Sequence, residues 1–134
     1  MGNQTGVQNV LDVAELPILA STIIAGSGVK ANAAAVATIP AVPGQTAYIT
    51  GFQVTAAGAT AALNVTLTLA GVAGGPITYG FAFPAGAGVP AQPFVVAFYP
   101  AIPASGTGAA ISVTLPAGGS GNTSASVTVE GFYQ

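Results

Sequence analysis

The sequence has no cysteine, no histidine, no tryptophan and no arginine, and Lys30 is its only lysine. Each absence closes off a class of chemistry. Without cysteine there is no disulfide framework, and nothing indicates a redox compartment. Without histidine or cysteine the usual nitrogen and sulfur ligands of transition metals are missing. No imidazole is present to activate the many serines and threonines as nucleophiles. A single cation cannot neutralise a phosphate backbone, which argues against nucleic acid as a partner.

Charge of either sign is scarce. Asp12, Glu15, Lys30 and Glu130 are the only residues ionised near neutral pH, 3% of the chain, with a net charge of −2. An ordinary soluble surface is about 25–35% charged. Asp12 and Glu15 are three apart and can be neighbours on a helix, but a solvated pair fits them better than a preorganised glycosidase pair. A Ser–Lys pair at Lys30 has no surrounding sequence that suggests burial. The glycines from Gly71 to Gly75 are not followed by Lys-Ser/Thr, so they are no phosphate loop, and acidic calcium loops are absent. Catalysis is therefore not expected, and neither is a cofactor or metal.

Long apolar runs are also missing. The sequence is apolar overall, yet Gly, Pro, Ser or Thr interrupts it every few residues. No stretch of about 20 apolar residues exists for a spanning helix. No basic segment followed by an apolar core marks a secretory signal. The few aromatics fall mostly on the alternating apolar face rather than in two girdles, which argues against a membrane barrel.

What is present is alternation. In Leu63-Asn64-Val65-Thr66-Leu67-Thr68-Leu69 the leucines and valine take one face of a strand, and Asn64, Thr66 and Thr68 the other. The polar face carries hydroxyl and amide but no charge. The pattern recurs. Ile77, Tyr79, Phe81 and Phe83 alternate with Thr78, Gly80 and Ala82, Ile111, Val113 and Leu115 with Ser112 and Thr114, and Ala125, Val127 and Val129 with Ser126, Thr128 and Glu130. Gln45 to Thr55 reads as a long strand with Tyr48, Phe52 and Val54 on one parity and Ile49 on the other. Gly51 in its middle suggests a bulge or a close backbone contact. Ile18 to Ala25 and Val29 to Ile39 are further strand candidates. Phe94 to Tyr99 is apolar on both faces, as suits a central or interface strand, and Pro100, Pro103 and Gly106 punctuate the loop after it. Gly71 to Pro76 joins two strands as a hairpin. A polar-Thr-strand-Gly-Phe echo links Gln45–Phe52 with Asn122–Phe132; composition alone can produce it, and so can two strands paired in one sheet.

Seven or eight strands with regular turns predict an all-β fold, an antiparallel β-sandwich of jelly-roll type. Residues 18–134 form this single domain. Residues 1–17 differ: Val7, Val10, Leu11 and Ala14 lie at helical spacing before Pro17, which predicts a frayed short helix or an arm that orders on a neighbouring subunit.

The segments Gly44–Phe52, Leu63–Leu67 and Gly119–Ala125 resemble, in pattern and composition, small structural proteins of tailed bacteriophages, notably the jelly-roll cement or decoration proteins of icosahedral heads. The resemblance covers about residues 40–134 and carries no catalytic residues. It implies a sandwich that binds the shell of the major capsid protein as a homodimer or homotrimer, located on the virion surface and made in the host cytoplasm. Composition points the same way, since interface cores are depleted in Lys, Glu and Asp. Val7, Val10, Leu11, Phe94 and Tyr99 are the expected partner contacts. The alternative expectation is a glycan-binding host-attachment module, with Tyr48, Tyr79, Tyr99 and Tyr133 as stacking residues.

Overall fold

The structure, a computed structural model, describes residues 22–134. They form eight strands: β1 (Ile23–Gly26), β2 (Ala35–Ile39), β3 (Ala47–Ala56), β4 (Leu63–Ala70), β5 (Ile77–Phe83), β6 (Phe94–Pro103), β7 (Ile111–Leu115) and β8 (Ala125–Tyr133). The described residues contain no helix. Residues 1–17, with the expected contacts Val7, Val10 and Leu11 and the pair Asp12 and Glu15, lie outside them, as does the first part of the Ile18 to Ala25 candidate.

The strands make two antiparallel four-stranded sheets, in the orders β1-β8-β3-β6 and β2-β7-β4-β5. The pairings follow one rule. β1 pairs β8, β2 pairs β7, β3 pairs β6 and β4 pairs β5. The chain is thus one long hairpin, with the Gly71–Pro76 turn at its tip, rolled up so that β3 also meets β8 and β4 also meets β7. This is the jelly-roll arrangement of two packed sheets.

Alternation explains which side of each strand faces in. Ile49, Phe52, Val54, Val127 and Val129 from one sheet meet Ile39, Leu67, Leu69, Ile111, Val113 and Leu115 from the other, all buried in one core. Each such aliphatic or aromatic side chain contributes about 1.5–3 kcal/mol when fully buried. Phe81 and Phe83 close the core beside β5, with rings 5.2 Å apart, edge to face.

Four local readings are corrected or resolved. Leu63 shares the face of Leu67 and Leu69 but stays 41% exposed. The cause is that β7 pairs β4 only over Thr68–Ala70, so the start of β4 has a strand on one side alone. Tyr48 does not share a face with Phe52. The register of β3 shifts between Ile49 and Gly51, and this bulge reverses the parity, leaving Tyr48 outside and Phe52 in the core. Gly51 is needed there, because a Cβ would sit 2.7 Å from the Val96 carbonyl oxygen. Pro100 and Pro103 do not lie in a loop. β6 runs through both, which its place at the sheet edge allows, because an edge strand can spare N–H groups on its open side. Finally, the echoing segments do pair, as β3 and β8, and Tyr48 stacks on Phe132 across them at 5.0 Å and 6°.

Candidate interaction surfaces

The outward side chains of the β2-β7-β4-β5 sheet come into rows that only the register reveals. Val36, Thr114, Thr68 and Thr78 lie side by side across all four strands. Thr38, Ser112 and Ala70 form the next row. Thr66 faces Gly80, and Asn64 faces Ala82. No ionised side chain occurs in this face. Covering it requires desolvating hydroxyl and methyl groups, which a protein surface can match with hydrogen bonds and packing, rather than stripping water from charges.

The outer face of the other sheet is mixed. Ile24 lies beside Glu130, and Gln53 lies between Thr128 and Val95. The Thr55 and Ser126 hydroxyls share a hydrogen bond of 2.8 Å. Ile24 and Val95 are each 68% exposed. The sheet ends in an excursion of β6: between Ile49↔Ile102 and Gly51↔Ala97, β3 advances two residues while β6 advances five. The surplus pushes Tyr99 fully into solvent.

The other expected contacts and stacking residues are placed differently. Phe94 turns inward, half-buried, with its ring 6.1 Å from Phe52 and 5.5 Å from Tyr79. Tyr79 also meets Phe52 edge to face at 5.6 Å, and burial raises its phenol above the usual value. The Tyr133 hydroxyl donates to the Pro40 carbonyl at 2.6 Å. Of the four tyrosines, only Tyr99 is wholly exposed.

Two features had no clear sequence signal. Asn122 is buried at the end of the sandwich where the β1–β2, β3–β4 and β7–β8 connections meet. Its side-chain oxygen accepts from the Asn32 amide at 3.0 Å, and its amide nitrogen donates to the carbonyls of Ala57 at 2.7 Å and Ser124 at 3.2 Å. Nearby, Ala59–Leu63 and Gly118–Ser120 line a shallow groove of about 340 Å³ whose only side-chain polar groups are the Thr60 and Ser120 hydroxyls.

Among the described residues no three His, Cys, Asp or Glu side chains come together, and no helix is long and apolar enough to cross a membrane. Lys30 is exposed, and its backbone bridges Ala125. Glu130 is five residues further along β8, about 17 Å at 3.4 Å per residue, so the two do not form a pair. Comparison with protein-family models, with curated proteins and with solved structures gives no match.

Proposed function

We propose that this chain is a virion structural protein, a capsid decoration or cement protein that stabilises a phage head by bridging subunits of the major capsid protein. The observation that carries the reading is the uncharged outer face of the β2-β7-β4-β5 sheet, four strands wide, with Val36, Thr114, Thr68 and Thr78 in one row. A freely dispersed protein gains solubility from surface charge, which this face gives up. A surface built to be covered gains from the same trade, because few strongly hydrated groups must be stripped of water. Bridging two subunits then adds buried area across a boundary that heat or internal pressure would open.

The test is on particles. Heads stripped of the chain should release their contents at a lower temperature than complete heads, and adding the purified chain back should restore the difference. Thr68→Lys with Thr114→Lys should abolish the restoration while leaving the chain folded, because both side chains point outward. Equal stability with and without the chain would remove the cementing role.

Tyr99 favours one second reading, a glycan-binding attachment module. A fully exposed ring on an edge excursion can stack on a sugar. Glycan-array binding that is lost in Tyr99→Ala would support that reading over the first.

A further inference from the structure

The four sheet edges of the described residues are not alike. β1 has four residues and β2 five. β6 is broken by the Tyr99 excursion and carries Pro100 and Pro103. These are the usual ways of blunting an edge against other strands. β5 has none of them. It is seven residues long, Ile77-Thr78-Tyr79-Gly80-Phe81-Ala82-Phe83, with no proline, no charge and no bulge in its pairing with β4. Among the described residues, no backbone group of β5 hydrogen-bonds to anything on the side away from β4. A notch of about 260 Å³ runs along that side between Gly80–Ala82 and Gln92–Phe94.

The pattern along this edge is its own complement. An antiparallel copy paired about Gly80 brings Tyr79 opposite Phe81 and Ile77 opposite Phe83, all on the inward face. It brings Thr78 opposite Ala82 on the outward face, with the two Gly80 residues at the centre. The parity is preserved, so apolar meets apolar and neutral meets neutral. The edge carries no charge, so a copy meets itself without like-charge repulsion. A closed two-fold contact of this kind uses the same patch on both subunits.

We propose that β5 pairs with β5 of a second copy of this chain, antiparallel and centred on Gly80, joining two four-stranded sheets into one of eight. The outer faces of the two sheets then become one continuous uncharged surface. The pairing stands on the edge itself and does not depend on the virion reading, because it is read on the purified chain without particles.

Cysteine trapping tests it, since the chain has no cysteine of its own. A Cβ at Gly80 meets nothing within 4 Å, so Gly80→Cys leaves the fold intact. Directly opposed antiparallel residues fall within the Cα separation that a disulfide spans. Gly80→Cys should therefore couple into a covalent dimer on mild oxidation. Thr66→Cys, on the neighbouring strand opposite Gly80, should not, because its two copies would lie about 14 Å apart at about 4.8 Å per strand. A charge swap completes the test. Thr78→Lys with Ala82→Lys should give monomers by light scattering with an unchanged circular dichroism spectrum. An equimolar mixture with Thr78→Glu plus Ala82→Glu should restore the dimer. A wild-type chain that stays monomeric at every concentration, or an oligomer in which Thr66→Cys couples as fast as Gly80→Cys, overturns the proposal.

Discussion

Replacing Asn122 by alanine removes three hydrogen bonds at once, and their partners differ in what they lose. The Ser124 carbonyl still accepts from the Ala57 amide at 2.8 Å, so it remains partnered. The Asn32 amide belongs to an exposed residue and can turn to water at little cost. The Ala57 carbonyl loses its 2.7 Å partner under the loops that Asn122 ties together. At about 1 kcal/mol for each of the two bonds whose partners keep a substitute, and about 1–3 kcal/mol for the part-buried Ala57 carbonyl left unpaired, the expected loss is about 3–5 kcal/mol. Asn122→Asp should do no better near neutral pH. It keeps the acceptor for Asn32 but aims a carboxylate at two carbonyl oxygens, and its deficit should shrink in acid as the introduced carboxyl is protonated and can donate. Urea unfolding of the three proteins measures this directly. A lowered midpoint with an unchanged slope reports stability alone. A loss below about 1 kcal/mol for Asn122→Ala would refute the reasoning, because it would show that the three bonds do not hold the loops together.

Two glycines should respond in opposite directions. A Cβ at Gly131 would clash with the Tyr48 carbonyl oxygen and sit 2.7 Å from the Ile39 Cδ1, so Gly131→Ala should cost about 3 kcal/mol, at the upper end for overpacking because backbone must move. Gly80→Ala, with open space around it, should raise stability by about 0.5–1 kcal/mol; thermal melts of the pair separate the two cases. The chain has no histidine or cysteine, so its stability should vary little from about pH 5 to 9. Burial raises the Tyr79 phenol, so its contribution is complete below the unfolded value near pH 10 and is lost as pH rises through the higher folded value. Tyr79→Phe should move the alkaline fall to higher pH in pH-jump melts.

Much of the sandwich was legible in the sequence because its strands alternate. Ile111, Val113 and Leu115, and Ala125, Val127 and Val129, are buried as their spacing predicts. Gly51 suggests a bulge or a close backbone contact, and both are there. The same bulge defeated the parity of Tyr48, since an extra residue reverses every side chain beyond it. Pro100 was misplaced because proline forbids a central strand but not an edge one, and edges are set by strand order. The surfaces were less legible still. Thr68 was visibly an outward residue, but its alignment with Thr114 and Thr78 depends on pairings between strands far apart in the chain. Asn122 lay in a Gly/Ser loop, where nothing local distinguishes a buried clamp from an exposed turn residue.

The rolled-hairpin pairing also dictates when this molecule can take shape. Only the β4–β5 ribbon joins neighbours in sequence; Ile23 waits for Gly131, and Ala35 for Leu115. On the ribosome, then, the β2-β7-β4-β5 sheet can close only when β7 has emerged, and β1 and the far side of β3 stay unpaired until β8 follows. Acquisition of the native state should be slow and late, as contacts between distant parts of a chain require. The scarcity of charge gives the nascent polypeptide little repulsion to keep it from its neighbours meanwhile. A polysome translating this message, with many half-made copies side by side, is where a molecular chaperone would matter most.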